Sequence, residues 1–429
     1  MNDSKNDKSW EEIFVKHKIV ENILASGFFH INSTEINLFR EARLMTKFDH
    51  KSQLPKIFAK NKLSILPISR GGYVIGSLST FHNFEKNELE LKKIRFPNFL
   101  ESLNHKDISS ESTAINCAFV SGILNDFTGE KELFPTVSGR MSSNLFDFKI
   151  DLLNNSLNIK VVNSQIEIDG GFEGDNSLSL IEAKNYLSDD FLVRQLFYPY
   201  KLWSNKIGKK VRPIFLTFTN GIYHLREYIF QDPNHYNSLI LVKENKYTIS
   251  DEEDEVINNE VIQKILEKIK VIPELNIPFP QADSFERVIN LCELLKLKNE
   301  MSKEEITLNY DFDLRQTDYY TNAGKYLGLI ETKFEKEYVS CYLTDKGKEI
   351  FNKPIRTRQL EFVRLILSHQ VFKKSLGIWF NEGNIPSKDL IVEIMKSSKL
   401  YDVNADSTYY RRASTISGWI NWIMNLIEE

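Results

Sequence analysis

The sequence predicts a mixed α/β protein with an α+β region at its N-terminal end, an α/β core in the middle and a mostly helical C-terminal region. Between residues 146 and 168, apolar side chains alternate with polar ones, which is typical of half-buried strands. Helical patterns over residues 110–127 and 190–203 enclose these strands and a buried strand at 178–183. From residue 283 onward the apolar spacing is mostly helical, which indicates a separate C-terminal region.

The composition is that of a soluble globular protein. The chain has 429 residues, of which 41% are hydrophobic and 27% charged, and a net charge of −4. These values predict two to four domains and exclude a uniformly basic binder, although a local basic patch is compatible with them. Three cysteines lie far apart without metal-ligand spacing, which favours reduced thiols. The N-terminus is polar and no apolar run reaches ~20 residues, so we expect a cytoplasmic protein without a signal peptide or membrane span.

Changes of pattern divide the chain into five regions. We predict an N-terminal α+β domain at 1–105, an α/β domain at 106–250, an acidic and proline-containing linker at 251–282, a helical module at 283–352 and a second, related helical module at 353–429. The linker assignment depends on the acidic run at 251–260 and on the prolines that follow it.

The N-terminal domain combines helical and strand patterns. An amphipathic helix lies within the first 30 residues, and helical rhythm returns at 34–48. Residues 63–78 then predict two strands around the turn Ser69-Arg70-Gly71-Gly72. A guanidinium beside flexible glycines suits phosphate binding but is also common in solvated turns, so Arg70 is a candidate DNA contact.

The α/β domain opens with the helix at 110–127, whose first turn Ser110 can cap. Strands at 146–150, 157–161, 166–168 and 178–183, a helix at 190–203 and a strand at 211–218 follow. Asn220-Gly221 is a strong hairpin signal before a strand at 222–229. Before the first of these strands, Ser138-Gly139-Arg140 is predicted to be a loop, in which Ser138 and Arg140 are candidate phosphate contacts.

The C-terminal region contains a short internal sequence repeat, with its two copies 90 residues apart. Tyr319-Tyr320-x-x-Ala323-x4-Gly328-x-Ile330 is matched by Tyr409-Tyr410-x-x-Ala413-x4-Gly418-x-Ile420. Helices are expected at 285–297, 302–308 and 315–327, followed by a hairpin at 331–343, an order that resembles a winged-helix unit. Its third helix would then read the major groove. The candidate DNA contacts are Arg315, Gln316, Tyr319, Tyr320 and Asn322, and in the second module Arg411 and Arg412. The alternative is a module that binds protein or dimerises.

The strongest candidate for a chemical site lies on two predicted strands. Residues two apart on a strand share a face, so Glu167 and Asp169 project together, and so do Glu182 and Lys184. Carboxylate oxygens suit Mg²⁺, and an ammonium group can position a water and offset charge on a phosphate. Charges at the end of a buried strand need partners, ligands or a metal. Glu167 is either a third metal ligand or a second exposed carboxylate.

Asp169, a gap of 12 residues and Glu182-Ala183-Lys184 resemble the signature of the PD-(D/E)xK nuclease superfamily. Helices at 110–127 and 190–203 match the two that flank the core of that fold, and Gln195 lies where part of the superfamily has a glutamine that braces the site or contacts DNA. Ile168 replaces the proline of the signature. Stretches at 42–49, 63–71, 136–143 and 195–203 are similar to one group of type II restriction endonucleases.

The resemblance covers roughly residues 40–230 and implies a restriction-endonuclease-like core. Its implied function is site-specific cleavage of double-stranded DNA in the cytoplasm of a prokaryote, as a host defence. Mg²⁺ would be the cofactor, with Mn²⁺ as a substitute. Asp169 and Glu182 would hold it, with Glu167 as the candidate third ligand, while Lys184 and Gln195 complete the catalytic set. A homodimer, formed at least on DNA, and a cognate DNA methyltransferase are the implied partners. Glu111 matches an extra acid of some relatives, or simply complements its helix dipole.

Two alternatives stay open. One is a repair or recombination nuclease similar to a junction resolvase, and the other is a DNA-binding regulator with an inactive nuclease fold. No GxGxxG or GxxxxGK[ST] motif occurs, so we expect cleavage to be independent of ATP.

Overall fold

The computed structural model describes residues 4–250, 256–334 and 338–428. The chain divides into two compact units. The first comprises Met1–Phe218 and Ile222–Ile249, and the second comprises Thr219–Gly221 and Ser250–Glu429. The first unit is mixed α/β, and the second is mostly helical, as the sequence predicts.

The N-terminal part of the first unit packs short helices around a three-stranded antiparallel sheet of order β1-β3-β2. Its elements are α1 (Lys5–His17), α2 (Ile19–Ser26), β1 (Phe28–Asn32), α3 (Ser33–Asn37), α4 (Ala42–Met45), a 3₁₀ turn (Lys51–Gln53), α5 (Lys56–Asn61), β2 (Ser64–Pro67), β3 (Gly72–Gly76), β4 (Phe81–Asn83) and β5 (Leu91–Ile94). The predicted pair of strands at 63–78 is confirmed as β2 and β3. The helical rhythm at 34–48 corresponds to two short helices and not to one continuous helix.

The rest of the first unit is built on a seven-stranded sheet of order β5-β14-β13-β12-β10-β9-β6. Its elements are α6 (Glu111–Val120), α7 (Ile123–Thr128), β6 (Phe134–Ser142), β7 (Leu145–Asp151), β8 (Ser156–Val162), β9 (Gln165–Glu173), β10 (Ser177–Lys184), β11 (Asp190–Leu192), α8 (Arg194–Ser204), β12 (Lys210–Thr219), β13 (Ile222–Phe230) and β14 (Leu239–Ile249). Strands β6, β9 and β10 are antiparallel neighbours, whereas β10 and β12 are parallel and are connected through α8.

Three predictions for this region need correction. The helix expected at 110–127 is divided by Gly122, whose φ of +83° ends α6 and begins α7. The helix expected at 190–203 begins only at Arg194, because residues 190–192 form the short strand β11. Ser138 and Arg140 lie within strand β6 and not in a loop.

Apolar residues on both faces of the sheet position the helices. Ile115 and Ala118 of α6 pack with Phe172, Ile181 and Ala183 on one face. On the other face, Tyr200 and Trp203 of α8 contact the core formed by Ile168, Leu178 and Leu180. Strand β10 is therefore covered on both faces, and each of its eight residues is buried. A continuous apolar run that ends in Glu-x-Lys is the sequence pattern of such a strand.

The second unit is mostly helical. Its elements are α9 (Asn259–Lys268), α10 (Phe285–Lys298), β15 (Glu300–Ser302), α11 (Lys303–Asn309), α12 (Leu314–Tyr326), β16 (Ile330–Phe334), β17 (Val339–Leu343), α13 (Asp345–Phe351), α14 (Ile355–Leu367), α15 (Gln370–Glu382), α16 (Lys388–Ser397) and α17 (Asp406–Met424). Strands β15, β17 and β16 form an antiparallel sheet in that order. The region predicted as a linker contains helix α9, and residues 251–255 of its acidic run lie outside the described residues.

Both copies of the repeated tyrosine motif begin on a helix, but the structures that follow the tyrosines differ. Both tyrosine pairs lie on helices, α12 and α17. Helix α12 ends at Tyr326, Gly328 adopts a φ of +69° and Ile330 begins a strand. In α17 the helix continues through Gly418 and Ile420. The second copy therefore has no counterpart of the β16–β17 hairpin in this part of the chain.

Among the described residues, no helix combines the length and the apolar character that are needed to cross a membrane.

Candidate functional site

The acidic residue of the first strand lies at an irregularity of the sheet. The pairing of β6 with β9 shifts, because Val137 is opposite Gly171 whereas Gly139 is opposite Ile168. Two steps along β6 thus correspond to three steps along β9, which inserts an extra residue at Asp169-Gly170. Such bulges are common beside active sites, where they redirect a side chain. Strand β9 continues through the two glycines to Glu173.

Four side chains line one cleft and form a polar cluster: Asp169, Glu182, Lys184 and Gln195. Lys184 Nζ donates a hydrogen bond to Glu182 Oε1 at 2.5 Å, and Gln195 Nε2 donates to the same oxygen at 2.6 Å. Asp169 Oδ2 accepts a hydrogen bond from the Ala183 backbone N–H at 2.8 Å. The neighbouring oxygens, Asp169 Oδ1 and Glu182 Oε2, remain available to a ligand. Strand β9, strand β10 and helix α8 thus each contribute to one polar cluster.

The glutamate and the lysine of this cluster are buried, whereas Asp169 and Gln195 are half-buried. Glu182 is 7% exposed and Lys184 is 8% exposed. Burial raises the pKa of Glu182 to about 8; Asp169 adds to this rise, and Lys184 opposes it. For Lys184, burial acts against the charge but is outweighed by Glu182, Tyr186 and Glu111, so its pKa lies well above the usual range. The ammonium group therefore stays charged at neutral pH.

Two further carboxylates, Glu111 and Asp49, affect the pKa values of this cluster. Burial raises the pKa of Glu111, at the start of α6, and the charges of Lys184 and Asp169 then act on it in opposite directions. Glu111 lines the same cleft as Lys184, and its role as an extra acid of the site stays a prediction. Asp49 acts on Glu111, Glu182 and Lys184 and was not singled out from the sequence. The stretch at 42–49, which resembles restriction endonucleases, was the only signal for it.

The cluster lies in a cleft of about 800 Å³ within the first unit. Its walls come from the N-terminal part of the unit and from the seven-stranded sheet. The charged side chains that line it are Glu41, Arg43, Lys47, Asp49, Arg70, Glu111, Arg140, Glu167, Asp169, Glu182, Lys184 and Arg194. Basic groups at the walls and acids beside Lys184 would suit a phosphate-containing ligand together with a cation. Among the described residues, no group of three or more His, Cys, Asp or Glu side chains could hold a metal ion by itself.

Arg140 and Glu167 form an ion pair across β6 and β9. Arg140 Nε lies 3.2 Å from Glu167 Oε1, and the two side chains are 59% and 56% exposed. Glu167 shares the outer face of β9 with Gln165, and both line the cleft. The carboxylate that could be a third metal ligand is therefore paired with the arginine that could bind a phosphate. Ser138 is exposed on the same strand, and Arg70 lies at the turn between β2 and β3.

A second groove, of about 440 Å³, lies within the second unit. Both copies of the repeated tyrosine motif contribute to its lining. Helix α12 contributes Gln316, Tyr319 and Tyr320, and helix α17 contributes Tyr410 and Arg411. Lys388, at the start of α16, adds a second cation. The side of α12 that carries Gln316 and Tyr319 thus faces a groove shared with another helix.

The remaining C-terminal candidates differ in exposure. Arg315 is exposed, whereas Asn322 is half-buried. Tyr320 is only 5% exposed and packs against Phe312 with the two rings tilted and their centroids 5.2 Å apart, so most of its ring belongs to the core. Arg411 is exposed, and Arg412 is half-buried and donates to the Asp402 carbonyl at 3.1 Å. Burial of Tyr320 corrects its inclusion among the candidate DNA contacts.

Three family models match the chain, and each is described as a domain of unknown function. They are Domain of unknown function (DUF6996) over residues 7–75, Domain of unknown function (DUF6997) over residues 76–248 and Domain of unknown function (DUF7226) over residues 287–428. No curated protein and no solved structure matches the chain. The first two ranges meet at the end of β3, so the cleft takes residues from both of them.

Proposed function

We propose that the chain is a Mg²⁺-dependent endonuclease that cuts double-stranded DNA at specific sites, in the manner of a type II restriction enzyme. The observation that carries this proposal is the convergence of Asp169, Glu182 and Lys184 in one cleft. Asp169 Oδ2 accepts from the amide of Ala183, the residue between the other two, and Lys184 donates to Glu182. An acid on one strand and Glu-x-Lys on the next can supply two carboxylates for Mg²⁺ and a positive charge for the phosphate in phosphodiester hydrolysis.

The order of the elements supports a PD-(D/E)xK core. A helix, α6, precedes three antiparallel strands, β6, β9 and β10, and a second helix, α8, leads to the parallel strand β12. This is the order of helices and strands that the sequence resemblance implies. The hairpin of β7 and β8 forms a separate two-stranded sheet and is an insertion in this order.

The residues present fit a magnesium ion. Asp169 and Glu182 would hold it, because each has a carboxylate oxygen free of hydrogen bonds in this cluster. Mg²⁺ commonly binds one or two carboxylates and keeps several waters, so these two carboxylates are enough to hold it. The high pKa of Glu182, caused first by burial, indicates a site that gains from a bound cation. Bound there, the ion would lower the pKa of a water and polarise the phosphate.

The side chains of this chain have distinct parts in hydrolysis, in which a water oxygen bonds to phosphorus, a P–O ester bond breaks and the leaving oxygen takes up a proton. Lys184 would orient the water and offset the negative charge that develops on the phosphate oxygens. Gln195 would hold Glu182 in place through its 2.6 Å hydrogen bond. Arg140 would exchange Glu167 for a DNA phosphate, since an exposed ion pair costs little to separate.

In this proposal the second unit recognises the base sequence of the DNA site. The order α10, β15, α11, α12, β16 and β17, with the sheet order β15-β17-β16, supports the winged-helix interpretation. Arg315 is exposed at the start of α12, where recognition helices contact base edges. Arg411 and Lys388 at the neighbouring groove would bind the phosphates beside it.

The biological context of this proposal is restriction of foreign DNA in a prokaryotic cytoplasm, with a DNA methyltransferase that protects the host. Each chain would supply one active site, the cluster of Asp169, Glu182 and Lys184, whereas cutting both strands takes two active sites or two successive nicks. We therefore include a homodimer, formed at least on DNA, in the proposal.

Incubation of the purified chain with unmodified genomic and plasmid DNA in Mg²⁺, followed by sequencing of the ends, tests the proposal. Discrete fragments with a common sequence at their ends would support it. Cleavage of four-way junctions alone would favour a resolvase, and binding without cleavage would favour a regulator. An Asp169→Asn preparation is the matched control, since any cutting that it retains comes from a contaminating nuclease.

A further inference from the structure

Arg194 lines the cleft with a guanidinium group that has no polar partner among the described residues. Two other cations of the cleft are paired, Lys184 with Glu182 and Arg140 with Glu167. Within the part of the chain that the structure describes, the side chain of Arg194 forms neither an ion pair nor a hydrogen bond, and its Nε is fully buried. A buried donor without an acceptor costs free energy. A partner from outside the chain would remove that cost.

The start of helix α8 places a second positive group beside this guanidinium. Arg194 is the first residue of α8, the first turn contains no acidic residue, and Val193 provides no side-chain cap. The N-terminus of a helix carries a partial positive charge, so a cation at that end is unfavourable by itself. Both positive groups favour an anion, and phosphates are anions that bind at helix N-termini. The chemistry of the missing partner is therefore that of a phosphate.

An aromatic ring positions the guanidinium group. Arg194 Cζ lies over the ring of Tyr198, one turn further along α8, at 5.8 Å from the ring centroid. Tyr198 is itself held in place, because it is fully buried and its hydroxyl donates to the Pro67 carbonyl oxygen at 2.9 Å. A cation–π contact of this kind uses none of the guanidinium N–H groups. The donors of Arg194 thus stay available to a ligand in the cleft.

We propose that Arg194 binds a backbone phosphate of the DNA strand that occupies the cleft, through two parallel N–H···O hydrogen bonds. The next residue, Gln195, donates to Glu182 at 2.6 Å, so the phosphate contact would lie beside the catalytic cluster. A planar guanidinium suits such a bidentate contact with a phosphate better than an ammonium group does. The inference rests on the proposed function in one respect, that the ligand of the cleft is DNA.

The experiment compares Arg194→Met with Lys206→Met as a matched control. Lys206 Nζ lies 4.9 Å from the centroid of the Trp203 ring and is not part of the cleft lining, so each variant loses one positive charge and one cation–π contact. Fluorescence anisotropy of a labelled duplex in Ca²⁺, at several salt concentrations, measures affinity without cleavage. Only Arg194→Met should weaken binding, by roughly 10-fold or more. Its slope of log affinity against log salt should also be smaller by about 1. Equal affinities and slopes for the two variants would overturn the proposal.

Thermal unfolding separates this binding role from a structural one. Loss of an unpartnered cation at the start of a helix should leave the Tm of Arg194→Met at or above that of the wild-type chain. Arg194→Lys keeps the charge without the paired donors, so its affinity should lie between those of the wild type and Arg194→Met. A lower Tm in Arg194→Met with wild-type affinity and slope would show a structural role and contradict the proposal.

Failure of this inference is distinguishable from failure of the proposed function. If the wild-type chain binds DNA through Arg194 but does not cut it, the endonuclease proposal fails and the phosphate contact stands. If the chain cuts DNA and Arg194→Met binds it like Lys206→Met, the phosphate contact is wrong and the endonuclease proposal stands. A wild-type chain that binds no DNA would refute both.

Discussion

Lys184 Nζ donates to Glu182 Oε1 at 2.5 Å, and both side chains lie within the buried strand β10. A buried ion pair is costly to desolvate and weak evidence for stability by itself. Here two more carboxylates are involved, because Asp169 raises the pKa of the Glu182 carboxyl and Glu111 raises the pKa of the Lys184 ammonium. An excess of acids around one buried lysine is an arrangement that a divalent cation would stabilise.

The first prediction concerns the catalytic residues. Asp169→Asn, Glu182→Gln and Lys184→Met keep the approximate shape of each side chain in a buried cluster, so the fold should persist. Each should lower the rate of DNA cleavage by at least about 10²-fold, as the loss of one group that stabilises transition-state charge does. Single-turnover cleavage of a plasmid measures this. The control is Glu173→Gln, on the same strand as Asp169 but paired with Lys209 outside the cleft. A variant of the cluster that cuts as fast as Glu173→Gln would remove that residue from the catalytic set.

The second prediction concerns the metal. Cleavage should require Mg²⁺ or Mn²⁺, stop in EDTA and be indifferent to ATP. Ca²⁺ should support binding of DNA without cleavage, because its coordination is looser. Titration with Mn²⁺, followed by electron paramagnetic resonance, should show weaker binding in Asp169→Asn and Glu182→Gln. Glu167→Gln should bind Mn²⁺ like the wild-type chain, since Glu167 is paired with Arg140. Weaker binding in Glu167→Gln would instead make it a third ligand.

The third prediction concerns pH and the stability of the metal-free chain. The pKa of Glu182 rises from 4.5 to about 8 on folding, chiefly through burial. Between these two values the unfolded chain has lost a proton that the folded chain retains, so the contribution of Glu182 to stability falls as the pH rises. Thermal unfolding in EDTA should therefore show that the Tm of the wild-type chain falls relative to that of Glu182→Gln between about pH 5 and pH 8. Parallel curves for the two proteins would contradict the shifted pKa.

The fourth prediction concerns phosphate contacts. Arg140→Ala should weaken cleavage at all sites about equally and reduce the dependence of DNA affinity on salt, because one fewer counterion is released. Fluorescence anisotropy at several salt concentrations measures the slope. The matched control is Arg95→Ala, because Arg95 lies outside the cleft lining. If Arg140→Ala changes the preferred sequence, then Arg140 contacts a base and not a phosphate.

The fifth prediction concerns sequence recognition. Arg315→Ala should relax the cleavage preference at one position of the site, since a bidentate base contact contributes about 1–3 kcal/mol of discrimination. Sequencing of the cut ends measures this change. If Arg315→Ala retains the wild-type preference, α12 is not the recognition helix.

Gln316 needs a different substitution, because its side chain also closes a capping box. Its Oε1 accepts from the Asp313 backbone N–H at 3.0 Å, and Asp313 caps α12 in return. Gln316→Ala would lose both the cap and any base contact, whereas Gln316→Glu keeps the cap and removes only the amide donor. We expect Gln316→Glu to alter the cleavage preference without lowering the Tm. A changed preference in Gln316→Ala alone would assign the effect to the cap.

The sequence alone determined the mixed α/β class, the helical C-terminal region and the strands that carry Asp169, Glu182 and Lys184. These features depend on local signals: the alternation of apolar residues, the length of an apolar run and the two-residue spacing on a strand. Such signals persist in any context, so they could be recognised before the fold was known. The hairpin signal Asn220-Gly221 was of the same kind, since both residues have positive φ.

The tertiary structure decided which distant residues meet. Asp49 lines the same cleft as Lys184, and His50 lies within hydrogen-bond distance of Tyr186 and Asp190, although both come from more than 130 positions earlier in the chain. Nothing in their local sequence predicts these contacts. The pairing of Arg140 with Glu167 depends on the register of β6 against β9, and the burial of Tyr320 depends on its contact with Phe312. Register and packing are set by many simultaneous contacts across the sheet and the helices. No single segment of the chain contains all of these contacts. The sequence therefore predicted the central acids and the lysine but not the side chains that surround them.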